Sequence, residues 1–234
     1  MRRRVCHIAV LLAAFLLGAC VEDDIRRGND ALRIGDYDRA VRNFSRALDV
    51  EPANRDARYG LALSYYAEAE AAEHLRVPTF DLWERSAREF KVLSAVDSSG
   101  KIDANYSTCL FYLARATMAQ NASANVLPLL DRSILLDSLN YFSYNLKALI
   151  LSNSENAEDI AVAKKIFIHI VTREPGFISA YVNLGNVYWN EGDVESAWDT
   201  WSAGLERAPE NRSLVYWTRV AEDSLKAMVL SGRL

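Results

Sequence analysis

Glu70 and His74 stand one helical turn apart, a spacing that puts a carboxylate and an imidazole on one face. A metal site would need a second imidazole or a third ligand at comparable spacing, and none follows, so a solvated helix face is the plainer reading. His169 lies in Ile-Phe-Ile-His-Ile-Val, where a partly buried helical histidine needs no chemistry. Ser98-Ser99-Gly100-Lys101-Ile102 looks like the end of a phosphate loop, but the earlier glycine would fall at Ala95 and the hydroxyl at Ile102. Cys109 sits among apolar residues, which favours a buried, inert thiol over a reactive one; a bridge between two chains is the alternative. No nucleophile is matched with a base, and no carboxylates pair beyond ordinary surface charge. The expectation is a protein that is not an enzyme and that holds no cofactor and no metal.

Cys20 is the residue whose context implies a covalent fate. Met1-Arg2-Arg3-Arg4 is a charged start, followed by the apolar run Val-Cys-His-Ile-Ala-Val-Leu-Leu-Ala-Ala-Phe-Leu-Leu-Gly-Ala-Cys. That layout predicts a secretory signal over residues 1–19, too short for a comfortable membrane span of about 20 apolar residues. The ending Leu17-Gly18-Ala19-Cys20 resembles a bacterial lipobox, which implies lipidation of Cys20, palmitate included, after cleavage. An ordinary signal peptide or an uncleaved anchor that happens to end in Cys is the competing reading. Val21, rather than Asp, follows the cysteine, which by the sorting rule of enteric bacteria implies the outer membrane. Glu22-Asp23-Asp24 is also similar to surface-export tags of Bacteroidetes-like lipoproteins, so the periplasmic and surface faces both stay open.

Loss of residues 1–19 removes three Arg and no acid, taking the net charge from −4 to −7. With no dense basic run, nucleic acid and anionic headgroups are poor partners on this reading.

Behind Cys20 the chain repeats itself. Residues 177–212 contain Tyr181-x-x-Leu184-Gly185-x-x-Tyr188, then Ala197-x-x-x-Trp201, then Pro209. Small residues at 185 and 197 suit a close crossing of two helices, with Tyr181, Leu184, Tyr188 and Trp201 filling the space beside it. Gly192 and Asp193 turn the chain between the helices, and Pro209 ends the second one. Gly28, Gly35-Asp36, Ala40, Phe44, Ala47 and Pro52 repeat those spacings near the other end.

Two copies with one internal spacing resemble the tetratricopeptide repeat, a helix–turn–helix unit of about 34 residues. The resemblance implies an all-α superhelix, a solenoid of about five repeats over 20–211, closed by a C-terminal capping helix over 212–234. Repeat two carries about a dozen extra residues, Glu68 to Phe80, read as a lengthened helix, a break at Pro78 and a new helix capped by Thr79. Repeat three keeps the large/small order at Leu110, Leu113, Ala114, Leu130 and Ser133 without the glycines and proline. Repeat four has Tyr144, Ala148, Ala163, Phe167 and Pro175. No linker divides the chain, so one continuous helical domain is expected.

In the family the first helices line a concave face where ligands dock. That resemblance implies a partner-binding face of Asn29, Arg33, Tyr59, Leu63, Tyr66, Phe111, Arg115, Met118, Asn145, Asn186, Trp189 and Asn190. Rings offer apolar anchors and Asn can bond an extended backbone. Trp189 and Tyr66, each one residue past a packing position, are expected to turn toward the groove and support little core. The competing reading is that the same apolar residues are covered as local core. The family's carboxylate clamp is not reproduced, because Ile25, Leu63 and Phe111 stand where its polar residues belong. The function implied is a lipid-anchored scaffold for protein partners in the bacterial cell envelope, similar in layout to lipoproteins of outer-membrane protein assembly and to type IV pilotins. The alternative is a transporter accessory gripping a hydrophobic small molecule in a closed cavity lined by Tyr59, Tyr66 and Phe111.

Overall fold

The computed structural model describes residues 2–96, 100 and 102–231, with side chains from Gly18 onward. Residues 1–17 of the expected signal sequence, Leu17 of the lipobox included, therefore lie outside the described side chains. The described residues form eleven helices and no strand. These are α1 (Arg2–Arg33), α2 (Tyr37–Val50), α3 (Arg55–His74), α4 (Phe80–Ser94), α5 (Asp103–Gln120), α6 (Leu127–Leu136), α7 (Tyr141–Ser152), α8 (Ala157–Arg173), α9 (Ile178–Asn190), α10 (Val194–Arg207) and α11 (Arg212–Leu230). Among the described residues no helix is long and apolar enough to cross a membrane.

The short connections within and after the first and last repeats fold by one local rule. Gly35 and Gly192 leave their helices at φ +75° and +82°, a conformation that costs glycine little. The next residue, Asp36 or Asp193, then accepts a hydrogen bond from the backbone N–H three positions on, at 3.1 and 3.0 Å, and so caps the following helix. Between repeats Asn54 and Asn211 do the same for α3 and α11, two residues after Pro52 and Pro209.

The helices form two compact units, Met1–Asp137 and Ser138–Leu234. The sequence carries no linker between them. The division falls instead after the shortest helix, α6, whose ten residues bury only Leu130 and Ser133.

In the first unit, Phe44 fills the crossing of α1, α2 and α3. A Cβ on Gly28 or Gly60 would come within 2.8 or 2.3 Å of its ring, so both positions exclude a side chain. Trp83 and Phe90 of α4 are fully buried between α3 and α5. Ser86 Oγ donates to the Ala62 carbonyl at 3.0 Å across the α3–α4 crossing. At α5–α6, Ser107 and Ser133 each donate to the other's carbonyl, at 2.9 and 2.8 Å. Ala114 and Ser133 thus stand where the last repeat has Gly185 and Gly204, and the buried Ser133 hydroxyl is paired with Ser107 across the crossing, as buried polar groups must be.

Thr79 departs from expectation. It holds the N-cap position of α4 but makes no capping hydrogen bond. Its hydroxyl donates instead to the Glu73 carboxylate at 2.9 Å, tying the end of α3 to the start of α4.

In the second unit, Gly185 lies under Trp201, where a Cβ would sit 2.2 Å from the indole nitrogen. Trp201 Nε1 donates to the Val182 carbonyl at 3.2 Å, which fixes the ring. Ala197 is fully buried. Leu214 and Ala221 of α11 bury their side chains against the last hairpin.

Candidate partner-docking site

In the first unit Tyr59, Leu63 and Tyr66 rise from α3, and Phe111, Arg115 and Met118 from α5. Tyr59 meets Phe90 edge-on at 6.2 Å, and its hydroxyl accepts from Asn105 Nδ2 at 3.1 Å. Tyr66 meets Trp83 edge-on at 5.2 Å. Burial, with help from the charge and hydrogen bond of Glu70, pushes its phenol well above the ordinary range. Glu70 is therefore engaged by Tyr66, and His74 is exposed. The described residues hold no cluster of three metal-ligating side chains. Tyr59, Leu63 and Tyr66 are half-buried against the core, so each is part wall and part surface.

Arg115 is different. It is exposed, and its guanidinium lies over the rings of Phe111 and Tyr112 at 5.8 and 5.4 Å. A guanidinium held on two ring faces is pre-oriented with its N–H groups free to bind an acid. It forms one wall of a cleft of about 490 Å³ lined also by Glu73, Arg76, Val77, Pro78, Thr79, Phe80, Ala116, Ala119 and Gln120. The insertion of repeat two thus builds the far wall. There the last turn of α3 closes with Val77 N–H on the Ala72 carbonyl at 3.1 Å, and Arg76 takes φ +57°. That is the left-handed helix ending in which glycine is the usual residue, so Arg76 carries backbone strain at the cleft.

The remaining expected residues are placed as follows. Asn29 and Arg33 are exposed on α1, Arg33 paired with Asp30 at 2.8 Å. In the second unit Asn145 is half-buried and accepts from Asn183 Nδ2 at 3.0 Å, joining α7 to α9. Asn186 is half-buried and Asn190 exposed. Trp189 needs a correction. It packs on Trp201 and Trp217, ring centroids 5.9 and 6.2 Å away, and so belongs partly to the core of α9–α11. The offset by one residue does turn it from Tyr188's direction, but α11 brings Trp217 onto the face so exposed. Tyr112, Arg76 and Pro78 were missed as site residues; the break at Pro78 was the available signal.

Such helical hairpins, joined by one repeated turn and packed through one repeated close crossing, define a helical repeat protein. Tetratricopeptide repeat models match residues 25–75 and 178–211, and the chain is a tetratricopeptide repeat protein with an all-α fold. The MamA protein superposes with a TM-score of 0.57 at 20% identity, over 82% of this chain and 94% of its own. YrrB, described as a TPR protein with an unusual peptide-binding site, gives 0.57 at 17% identity, over 84% and 90%. Human protein O-mannosyl-transferase TMTC3 is 24% identical over 89% of this chain, which spans only 24% of that relative's length. The solved structures speak to fold alone. The matched repeats support a protein-interaction scaffold, a fold that is generally non-catalytic.

Proposed function

We propose that the chain is a lipid-anchored scaffold of the bacterial cell envelope that docks a peptide segment of a partner protein in the cleft beside Arg115. The observation that carries docking is the Arg115 guanidinium stacked on Phe111 and Tyr112 at the wall of a cleft of mixed polar and apolar lining. Arg115 and Arg76 would take a carboxylate, while Val77, Pro78, Phe80 and Ala116 would cover an apolar side chain beside it. The ligand chemistry is thus an acidic and apolar peptide. YrrB's described peptide site is compatible support from a protein of the same fold. The small-molecule alternative calls for a cavity lined by Tyr59, Tyr66 and Phe111, and the clefts beside Arg115, Arg39, Tyr106 and Trp198 are lined by none of the three.

Anchoring rests on Leu17-Gly18-Ala19-Cys20, and Cys20 is a free, exposed thiol on α1. With Val21 next, the outer membrane is the proposed address. Arg115→Glu should abolish partner capture and leave the chain folded, with stability lowered by only about 1–2 kcal/mol from the two lost exposed cation–π contacts. Retained capture would remove the cleft from the account. Labelling with palmitate should vanish in Cys20→Ser, and an unlabelled wild-type chain in the soluble fraction would sink the anchor.

A further inference from the structure

A second cleft of the first unit, between α1 and α2, has a different composition. It is an open surface cleft of about 610 Å³ lined by Arg27, Arg39, Val41, Arg42, Asn43, Ser45 and Arg46. Four of its seven lining residues are arginines and none is acidic, in a chain whose net charge is −4. Arg39, Arg42 and Arg46 follow at spacings of three and four, which puts them on one face of α2. Arg27 reaches the same cleft from α1.

The outer pair is neutralised from within the protein. Arg27 binds Asp23 at 2.8 Å, and Arg46 binds both Asp24 and the Oδ1 of buried Asn43, the latter at 2.7 Å. Arg39 and Arg42 have no carboxylate partner among the described residues. Arg39 and Arg42 thus leave two positive charges uncompensated beside two that are already paired, a local excess that a bound anion would offset. A planar fork of N–H donors, repeated around a pocket with a serine hydroxyl and a buried amide, matches the oxygens of a phosphate group.

We infer that this cleft is a binding site for a phosphate-bearing anion. It stands apart from the docking cleft and does not rest on that reading. Two sources share the chemistry, a phospholipid headgroup and a soluble phosphate compound. The cleft begins seven residues past Cys20, about 10 Å along α1, so a membrane holding that cysteine would bring headgroups within reach. The sequence alone argued against anionic headgroups because no basic run is dense; helical spacing and a second helix gather what the linear order separates.

The test uses the full-length chain in neutral-detergent micelles, titrated calorimetrically with inorganic phosphate and, separately, with water-soluble dihexanoyl phosphatidylglycerol. Saturable binding of at least one probe is expected, weakening with added salt and weaker by about tenfold or more in Arg39→Gln/Arg42→Gln. Tighter binding of the lipid probe assigns the headgroup; tighter binding of inorganic phosphate assigns a soluble compound. Both substituted residues are exposed and make no ion pair, so the double variant should keep its circular dichroism melt. No saturable binding of either probe by the folded wild type, or equal binding by the folded double variant, overturns the site.

Discussion

Gly185→Ala measures how tightly the last repeat is closed. The added methyl would lie 2.2 Å from Trp201 Nε1 and 2.5 Å from Cδ1 and Cε2. Trp201 is fully buried and its Nε1 is bonded to the Val182 carbonyl, so the ring has no free direction in which to move. Overpacking of this kind costs about 1–3 kcal/mol. Losing the indole hydrogen bond adds about 1 kcal/mol, and replacing a helical glycine by alanine returns about 1 kcal/mol. The net expectation is destabilisation by about 1–3 kcal/mol, read by urea titration of tryptophan fluorescence. Four of the five tryptophans lie in α9–α11, so the signal reports this region. The diagnostic arm is Trp201→Ala, which removes Nε1, Cδ1 and Cε2 together and so every atom that the methyl would meet. In that background Gly185→Ala should cost at least about 1 kcal/mol less. Equal costs in the two backgrounds, or a stabilised Gly185→Ala, would refute the close crossing.

Trp189→Ala should destabilise by about 2 kcal/mol, below the 3–5 kcal/mol of a fully buried tryptophan, because the ring is half-buried on Trp201 and Trp217; an unchanged urea midpoint would return it to the surface. Ala197→Leu should cost about 1–3 kcal/mol and Ala203→Leu less, since Ala197 is fully buried and Ala203 only half-buried; equal melting temperatures would show the register to be wrong. Burial pushes the Cys109 thiol from 9.0 up to about 12, so folding favours its protonated form. Its contribution is complete below pH 9 and is lost as pH rises through about 12, and Cys109→Ala should flatten the stability curve across that window. A curve unchanged by the substitution would contradict this assignment.

The repeats were legible because a close crossing leaves a mark on residue type. Gly185 beneath Trp201 and Gly28 beneath Phe44 are the same contact at two ends of the chain, and only the smallest residue fits. The long α3, the break and the new start at Phe80 were legible from Pro78. Other features carried no local signal. Gly60 lies outside the repeat pattern, yet Phe44 reaches it from another helix. Thr79 had the right type and place for a cap, but Glu73 competes for its hydroxyl across the break. Trp189 could not be assigned from its own helix, because the residue that covers it comes from α11. The docking cleft likewise depends on α5 standing against an insertion, a relation between elements that no spacing within either one records.

Photo-crosslinking from the docking cleft tests the scaffold reading most directly. A benzophenone side chain at Ala119, an exposed residue that lines the cleft, would face any segment bound beside Arg115. The control position is Asp49, exposed on α2 and outside that cleft. In irradiated cells position 119 should give a discrete adduct with another polypeptide, position 49 none, and Arg115→Glu should remove the adduct. Adducts of equal yield from both positions, or an adduct at 119 that persists in Arg115→Glu, would contradict docking at this site.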